Sequence, residues 1–390
     1  MGLGPSREIL EEVVDVVLSF GPRAAGSPGE VQTADYVVKE FEKAGLRVDR
    51  QVFPISNIPL IVLSKLLPAL SVAVLGLVLW QFSSRPVLAL ILLAAPLALM
   101  GLMLWKGFGV FRLFELWPTG TAANLIGRSD GEDPAKPTVV LVAHYDTKSQ
   151  TQTLALRSLC VMIGLIGYLV LLGLLGLRVL SGLWIGDWIF GILAVLVLAD
   201  QAFYLVNRNA NYSPGAVDNL SGLAVVLALA RRLIPSLKGK VNLIVLASAA
   251  EELGLVGAVQ FLRQFGSRLD RERTWIVNFD CLGPDGQVRM FGSKAARNSL
   301  QVDRARMIFE EEGFGFRFSS VMIGAGMDHI PFSRAGFRAV SITRASFHTA
   351  SKIHSTADGR EALDLDQLTI LEAAAAKWIE RELANHDGGK

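Results

Sequence analysis

VVLVAHYDTKSQTQTLALRSLCVMIGLIG, residues 139–167, carries two structural signals that normally belong to different proteins. VVLVA is the continuous apolar run of a strand covered on both faces. His144 and Asp146 follow it, two residues apart and therefore on one side of an extended chain. About a dozen residues later the chain becomes LCVMIGLIG, the opening of a run long enough to cross a bilayer as a helix. A strand that ends in metal-ligand chemistry thus runs into lipid-type sequence.

Four such apolar runs occur, at about 60–82, 87–105, 158–177 and 185–206. Each approaches the ~20 residues a spanning helix needs. Two short connectors, SSRP (83–86) and RVLSGLW (178–184), pair them into two hairpins. Five of the seven tryptophans (Trp80, Trp105, Trp117, Trp184 and Trp188) stand at or near their ends, where an aromatic belt belongs. Buried core helices are the plain alternative. The mean hydropathy of +0.41 is high for a soluble enzyme, and the excess is concentrated in these runs. Lys65, near the end of one run, is expected to snorkel. Asp200 lies deeper and is expected to face a neighbouring helix or the interface.

The remaining sequence alternates helix and strand patterns. Helical periodicity covers 6–20 and 29–45, followed by strand-like LRVDRQVF (46–53). Strands are expected at 138–144, 241–247, 274–279, 287–292 and 337–343, and helices at 219–234, 254–266, 296–312 and 361–385. This alternation predicts an α/β class chain with a mostly parallel central sheet between helical layers. The expected organisation is a catalytic domain in three pieces (1–56, 109–157 and 208–390), with transmembrane hairpins inserted at 57–108 and 158–207. An even number of spans returns the chain to one side. Arg47, Arg50, Lys106, Arg112, Lys148, Arg157 and Arg208 flank the spans on that side, against Arg85 and Arg178 in the connectors. The positive-inside rule then places the catalytic domain in the cytoplasm. The beginning of the chain has early acidic residues and no apolar core, so no signal peptide is expected. A net charge of +2 gives no reason to expect nucleic acid. The two cysteines, Cys160 and Cys281, do not suggest a disulfide framework.

Acidic and histidine residues recur where strands should end: His144, Asp146, Asp218, Glu251, Glu252, Asp280 and His354. Each has an ordinary reading. Asp218 could cap a helix, Glu251 and Glu252 could favour a helix dipole, Asp280 could serve a turn, and His144 and His354 could be plain polar residues. Together they form a donor set suited to two Zn²⁺ ions with one bridging carboxylate. In open α/β sheets such groups gather beyond the carboxyl ends of the strands.

The order of the motifs resembles that of the M28 family of zinc metallopeptidases. The matching segments are HYD (144–146), GAVDNLSG (215–222), EE (251–252), NFD (278–280), DHIPF (328–332) and IHSTAD (353–358), after an opening helix in RAAGSPGEVQTADYVVKEFEKAGLRV. The resemblance implies a three-layer α/β/α aminopeptidase-like domain. It assigns one zinc, or another divalent metal, to His144, Asp218 and Asp280. A second goes to Asp218, Glu252 and His354, with Asp218 bridging. It also implies Asp146 as the residue orienting His144 and Glu251 as the general base. Asp328 and His329 are expected to support the site or the substrate pocket, or to serve structure alone. His348 competes with His354 for the last position, and Asp358, four residues after His354, favours His354. The departure from the family is the gap of 218 − 144 = 74 residues between two ligands, which holds a whole hairpin. The implied activity is that of an exopeptidase, foremost an aminopeptidase; the hairpin set between two ligands adds the expectation of hydrophobic or membrane-associated peptides as substrates, the alternative being that the hairpins only anchor the enzyme. Another amide hydrolase, an acyl-transfer enzyme or a non-catalytic scaffold would be alternatives on the same fold. Glutaminyl cyclase relatives use one zinc, and the presence of both His144 and Asp280 argues against that reading.

Overall fold

The computed structural model describes residues 4–106, 117–129, 133–320 and 326–386. The chain forms two compact units, one of residues 1–55, 120–149 and 210–390, the other of residues 56–119 and 150–209. Arg112, counted above among the flanking cations, lies outside the described residues, as do the side chains of Trp105 and Lys106.

The first unit is built on eight strands: β1 (Arg47–Ile55), β2 (Gly120–Arg128), β3 (Thr138–His144), β4 (Asn242–Ser248), β5 (Thr274–Leu282), β6 (Val288–Gly292), β7 (Phe316–Ser319) and β8 (Arg338–Arg344). They line up in the order β1-β2-β4-β3-β5-β8-β6-β7. The central strands β4, β3, β5 and β8 are mutually parallel. All seven residues of β3 and all seven of β4 are buried, so helices cover both faces. On one face Val140, Val142, Ile244, Leu246 and Ile276 pack against Phe261 and Phe265 of helix Val256–Phe265 and against Phe332. Helix Ser221–Leu237 packs against β3 and β5 in turn. The fold is thus the α/β arrangement with a mostly parallel sheet that the alternation predicts.

Parallel register places the chemistry. His144 is paired with Ser248, and Val142 with Asn278. Two residues beyond that second pair, on both strands, stand His144 and Asp280. β2 is not among the strands the sequence predicts, because its GTAANLIGR mixes glycine and alanine with apolar residues instead of alternating. β2 is held by an antiparallel ladder running from Arg47↔Arg128 to Ile55↔Gly120, so the residues 56–119 are inserted at one end of a strand pair. The single helix expected at 296–312 is two, Lys294–Ser299 and Val302–Glu311, because Gln301 takes a left-handed conformation (φ +46°).

The second unit consists of helices Ile58–Gln81, Pro86–Lys106, Leu154–Ser181 and Asp187–Leu205. Their lengths, 19 to 28 residues, correspond to about 28–42 Å at 1.5 Å per residue. Val74, Leu75, Val78, Leu93, Tyr168, Leu171, Leu175 and Phe190 form its interior. The outer faces are just as apolar, with Leu77, Trp80, Ile91, Val161, Ile166, Leu169, Trp188 and Leu196 all exposed. The unit is thus apolar on its outer faces as well as in its interior. Among the described residues four helices are long and apolar enough to cross a membrane, and one of them, Ala216–Leu237, is 72% buried and belongs to the first unit's core. Pro86–Lys106 takes its place in the helical unit.

Both connectors meet at one end of this unit. Arg178 donates to the carbonyls of Phe82 (3.0 Å) and Ser83 (3.2 Å), stacks over Trp184 (4.3 Å to the ring centre) and pairs with Asp187, which also accepts from Trp184 Nε1 at 2.6 Å. At the other end Lys65 does not simply reach outward. Its ammonium donates to the carbonyls of Leu205 (2.6 Å) and Asn207, satisfying the open end of a helix. Asp200 is half-buried and accepts from Gln201 Nε2 at 3.0 Å.

Gly257, at the start of the helix under β4, tests the packing of the first unit. A Cβ there would lie 2.4 Å from the Ala249 carbonyl and 2.5 Å from Asn124 Oδ1, which itself accepts from the Ala249 amide (3.0 Å). Gly257→Ala is expected to destabilise the protein by about 1–3 kcal/mol, read as a lowered denaturation midpoint in detergent. An unchanged midpoint would contradict this packing.

Candidate metal centre

The candidate residues converge at the carboxyl ends of β3, β4 and β5. His144 closes β3 and is 1% exposed. Its Nε2 lies 3.2 Å from Asp218 Oδ1, 3.7 Å from Asp280 Oδ1 and 4.0 Å from Glu251 Oε2. Asp218 Oδ2 lies 3.0 Å from His354 Nε2, which is 2.7 Å from Glu252 Oε1. Asp218 therefore stands between the two imidazoles. Two donor groups result, His144/Asp218/Asp280 and Asp218/Glu252/His354, with ligand atoms all within 4.8 Å of one another inside each. His348, the competitor for the last position, is exposed on the short helix Phe347–Lys352.

Local backbone hydrogen bonds explain how these loops are held. The Asp146 carboxylate accepts from the amides of Glu251 (3.1 Å) and Glu252 (3.2 Å), tying the loop after β3 to the loop after β4. Its closest oxygen is 3.6 Å from His144 Nδ1, whereas the Asp146 backbone carbonyl is 3.1 Å away. The imidazole is thus oriented by the main chain of Asp146 more closely than by its carboxylate. Asp218 does not cap a helix. It sits in a non-helical turn before Ser221–Leu237, and the Asp358 carboxylate accepts from the amides of Val217 (2.7 Å) and Asp218 (3.2 Å). Asn219 donates to the Phe279 carbonyl (2.9 Å) and accepts from the Cys281 amide (3.3 Å), fixing this turn to the Asp280 strand. Glu251 and Glu252 lie in a turn ahead of helix Val256–Phe265, not in its first turn.

Arg23 and Lys148 complete the arrangement, and sequence reasoning missed the role of both. The fully buried Arg23 donates to the carbonyls of Tyr145 (3.0 Å), Pro214 (2.7 Å) and Gly215 (2.9 Å), so one guanidinium braces the segments that carry His144 and Asp218. A lone arginine opening RAAGSPG ahead of a helix was the only sequence signal. Lys148, read above as a membrane-flanking cation, has its Nζ 3.4 Å from Glu252 Oε2. Asp328 is fully buried and accepts from the Ser248 hydroxyl, and His329 Nδ1 is 2.7 Å from Ser341 Oγ. Backbone strain marks the same place. Ala250, Leu255, Cys281 and His354 are non-glycine residues with φ between +55° and +66°. All four are in, or within three residues of, a candidate ligand, and such strain persists where the surroundings over-determine it.

Electrostatics follow from burying so many carboxylates together. Burial pushes the Glu251 carboxyl well above its usual range, reinforced by Glu252, Asp280 and Asp328, so it is disposed to take up a proton. Burial opposes charge on His144, but Glu251, Asp146, Asp218 and Asp280 outweigh it and hold the imidazole well above its ordinary value. Asp218 is likewise opposed by burial, yet lies between His144 and His354 and is driven down. His144 Nε2 is buried without a hydrogen-bond partner at the centre of this cluster. An unsatisfied imidazole nitrogen facing carboxylates is what a divalent cation would satisfy, and two His with three carboxylates match zinc preferences. The residues fit the group.

A mostly parallel α/β sheet thus carries two candidate metal-donor groups at its carboxyl edge. Residues 195–379 match the profile described as Peptidase family M28, so the resemblance carried by the motif order is borne out. An aminopeptidase of Bacillus subtilis (YwaD) is 30% identical over 130 residues, covering 32% of this chain and 28% of that protein. A glutamate carboxypeptidase 2 homolog of Caenorhabditis elegans is 24% identical over 217 residues, covering 46% of this chain and 28% of that one. The chain thus spans under a third of the length of these curated relatives. Among solved structures, a zinc aminopeptidase from Bacillus subtilis aligns at TM-score 0.55 with 14% identity, over 96% of this chain and 95% of that one. The Porphyromonas gingivalis glutaminyl cyclase aligns at 0.56 with 13% identity, over 98% of both chains. These likenesses establish the fold.

His329 provides a test outside the donor groups. Burial lowers its imidazole to about 4. Its contribution to stability is therefore complete above the unfolded value of about 6.5 and is lost as pH falls towards 4, on the order of 3 kcal/mol across that window. The His329→Gln protein should show a shallower loss of denaturation midpoint between pH 6.5 and 4 than the parent; equal slopes would contradict the burial argument.

Proposed function

We propose that this protein is a membrane-integral exopeptidase that uses two zinc ions, most closely an aminopeptidase. The observation that carries this reading is the pair of donor groups sharing Asp218, with His144 Nε2 buried and unsatisfied beside it. His144 and Asp280 would hold one ion with Asp218, and Glu252 and His354 the other. Bound there, the ions would polarise the scissile carbonyl and lower the pKa of water. Glu251 is the general base. Its carboxyl lies beside both groups and is biased by burial to accept a proton, which it can pass to the leaving amine. Asp146 and Asp358 place the ligand loops through backbone amides, and Arg23 braces them. Asp328 and His329 support the wall of the site. The intact double donor set favours this reading over a single-zinc cyclase, although another amide hydrolase on the same fold would share the geometry.

The exposed apolar faces of the second unit support insertion as two helical hairpins, with the catalytic pieces 1–56, 109–157 and 208–390 on one side, in the cytoplasm by the positive-inside rule. The chain enters the helical unit at Gln150, six residues after His144, and leaves it at Asn209, nine residues before Asp218. Such short tethers support substrates presented at the bilayer: hydrophobic peptides or membrane-associated amides.

Glu251→Gln should keep its metal content and lose about 10²–10⁴-fold in turnover of aminoacyl or peptide substrates; near-normal turnover would remove Glu251 from the mechanism. In liposomes, a lipid-anchored peptide should be cleaved faster than a matched soluble one. Equal rates would leave the hairpins as anchors and refute the choice of substrate.

A further inference from the structure

Lys148 stands out among the charged groups near the centre. Its Nζ is 3.4 Å from Glu252 Oε2 and 3.3 Å from the Glu252 carbonyl, and its side chain is only 16% exposed. The other carboxylate oxygen, Oε1, faces His354 Nε2 at 2.7 Å. One carboxylate thus presents one oxygen to the second donor group and the other to an ammonium. Among the described residues no lysine or arginine forms an ion pair with Asp218 or Asp280. The two donor groups are alike in ligand type; the buried Arg23 bears on Asp218, which both share, whereas Lys148 bears on a ligand of the second group alone.

The lysine has two effects of opposite sign on a cation held at Glu252. It could steady the carboxylate, which would favour binding, or compete for its charge, which would oppose it. Steadying is the smaller effect. Glu252 is already fixed by its amide on Asp146 (3.2 Å) and by His354, and the lysine contacts are longer than the 2.7–2.9 Å of a strong charge-assisted bond. Repulsion between like charges needs no contact and is weakly screened at a buried site. We infer that Lys148 sets the two metal positions apart in affinity, making the Asp218/Glu252/His354 position the weaker. This rests on the two-metal reading above.

Zinc affinity of the full-length protein in detergent, measured by competition with a chromogenic chelator, tests it. In an Asp280→Asn background, which leaves the second donor group whole, Lys148→Met should tighten zinc binding by about tenfold, the scale on which neighbours of metal ligands act. Lys148→Arg should behave as its parent. The same comparison without Asp280→Asn should show the two successive dissociation constants drawing together, which covers a background that fails to fold. Unchanged or weaker binding in Lys148→Met would overturn the inference while leaving two-metal binding intact. A parent protein that takes up fewer than two zinc ions would overturn the two-metal reading itself.

Discussion

Everything at the centre of this protein follows from placing one carboxylate between two imidazoles in a dry site. Asp218 lies 3.2 Å from His144 and 3.0 Å from His354, and Glu251, Glu252 and Asp280 are crowded around the same point. Buried charge of one sign is costly, several kcal/mol per ion even after relaxation. A fold that keeps such a cluster must hold it rigidly and supply compensating charge.

The rigidity comes from the main chain. Asp146 and Asp358 each accept two backbone amides from a ligand-bearing segment, Asn219 ties the Asp218 turn to the Asp280 strand, and Arg23 braces the Asp218 turn against the loop after His144. Parallel strands bring the segments to one edge, because a shared register puts His144 and Asp280 at matching positions. The positive φ values at Ala250, Cys281 and His354 place left-handed backbone at or beside the ligand-bearing residues. The helical hairpins are added without disturbing this frame, one between paired strands β1 and β2 and the other between two ligand segments.

Much of this was readable beforehand. The buried strands β3 and β4 announce themselves by unbroken apolar runs, and the order of HYD, GAVDNLSG, EE, NFD, DHIPF and IHSTAD carried the family resemblance. What escaped was whatever depends on neighbours far away in sequence. β2 has no alternation of its own and is a strand because β1 and β4 pair with it. Arg23 is an ordinary arginine until the fold surrounds it with three carbonyls. Lys148 looked like a membrane-flanking charge because its sequence neighbours are the start of a span, while its spatial neighbour is Glu252. Asp146 was expected to act through its carboxylate on His144; that carboxylate lies 3.6 Å from His144 Nδ1, farther than the residue's own backbone carbonyl at 3.1 Å, and also accepts the amides of Glu251 and Glu252.

The central claim is that this carboxylate cluster exists to hold two divalent ions across Asp218. Anomalous scattering from crystals of the zinc-loaded protein, collected above and below the zinc edge, tests it directly. The account predicts two peaks, one between Asp218, His144 and Asp280 and the other between Asp218, Glu252 and His354. A single peak, or none at these carboxylates, would contradict it.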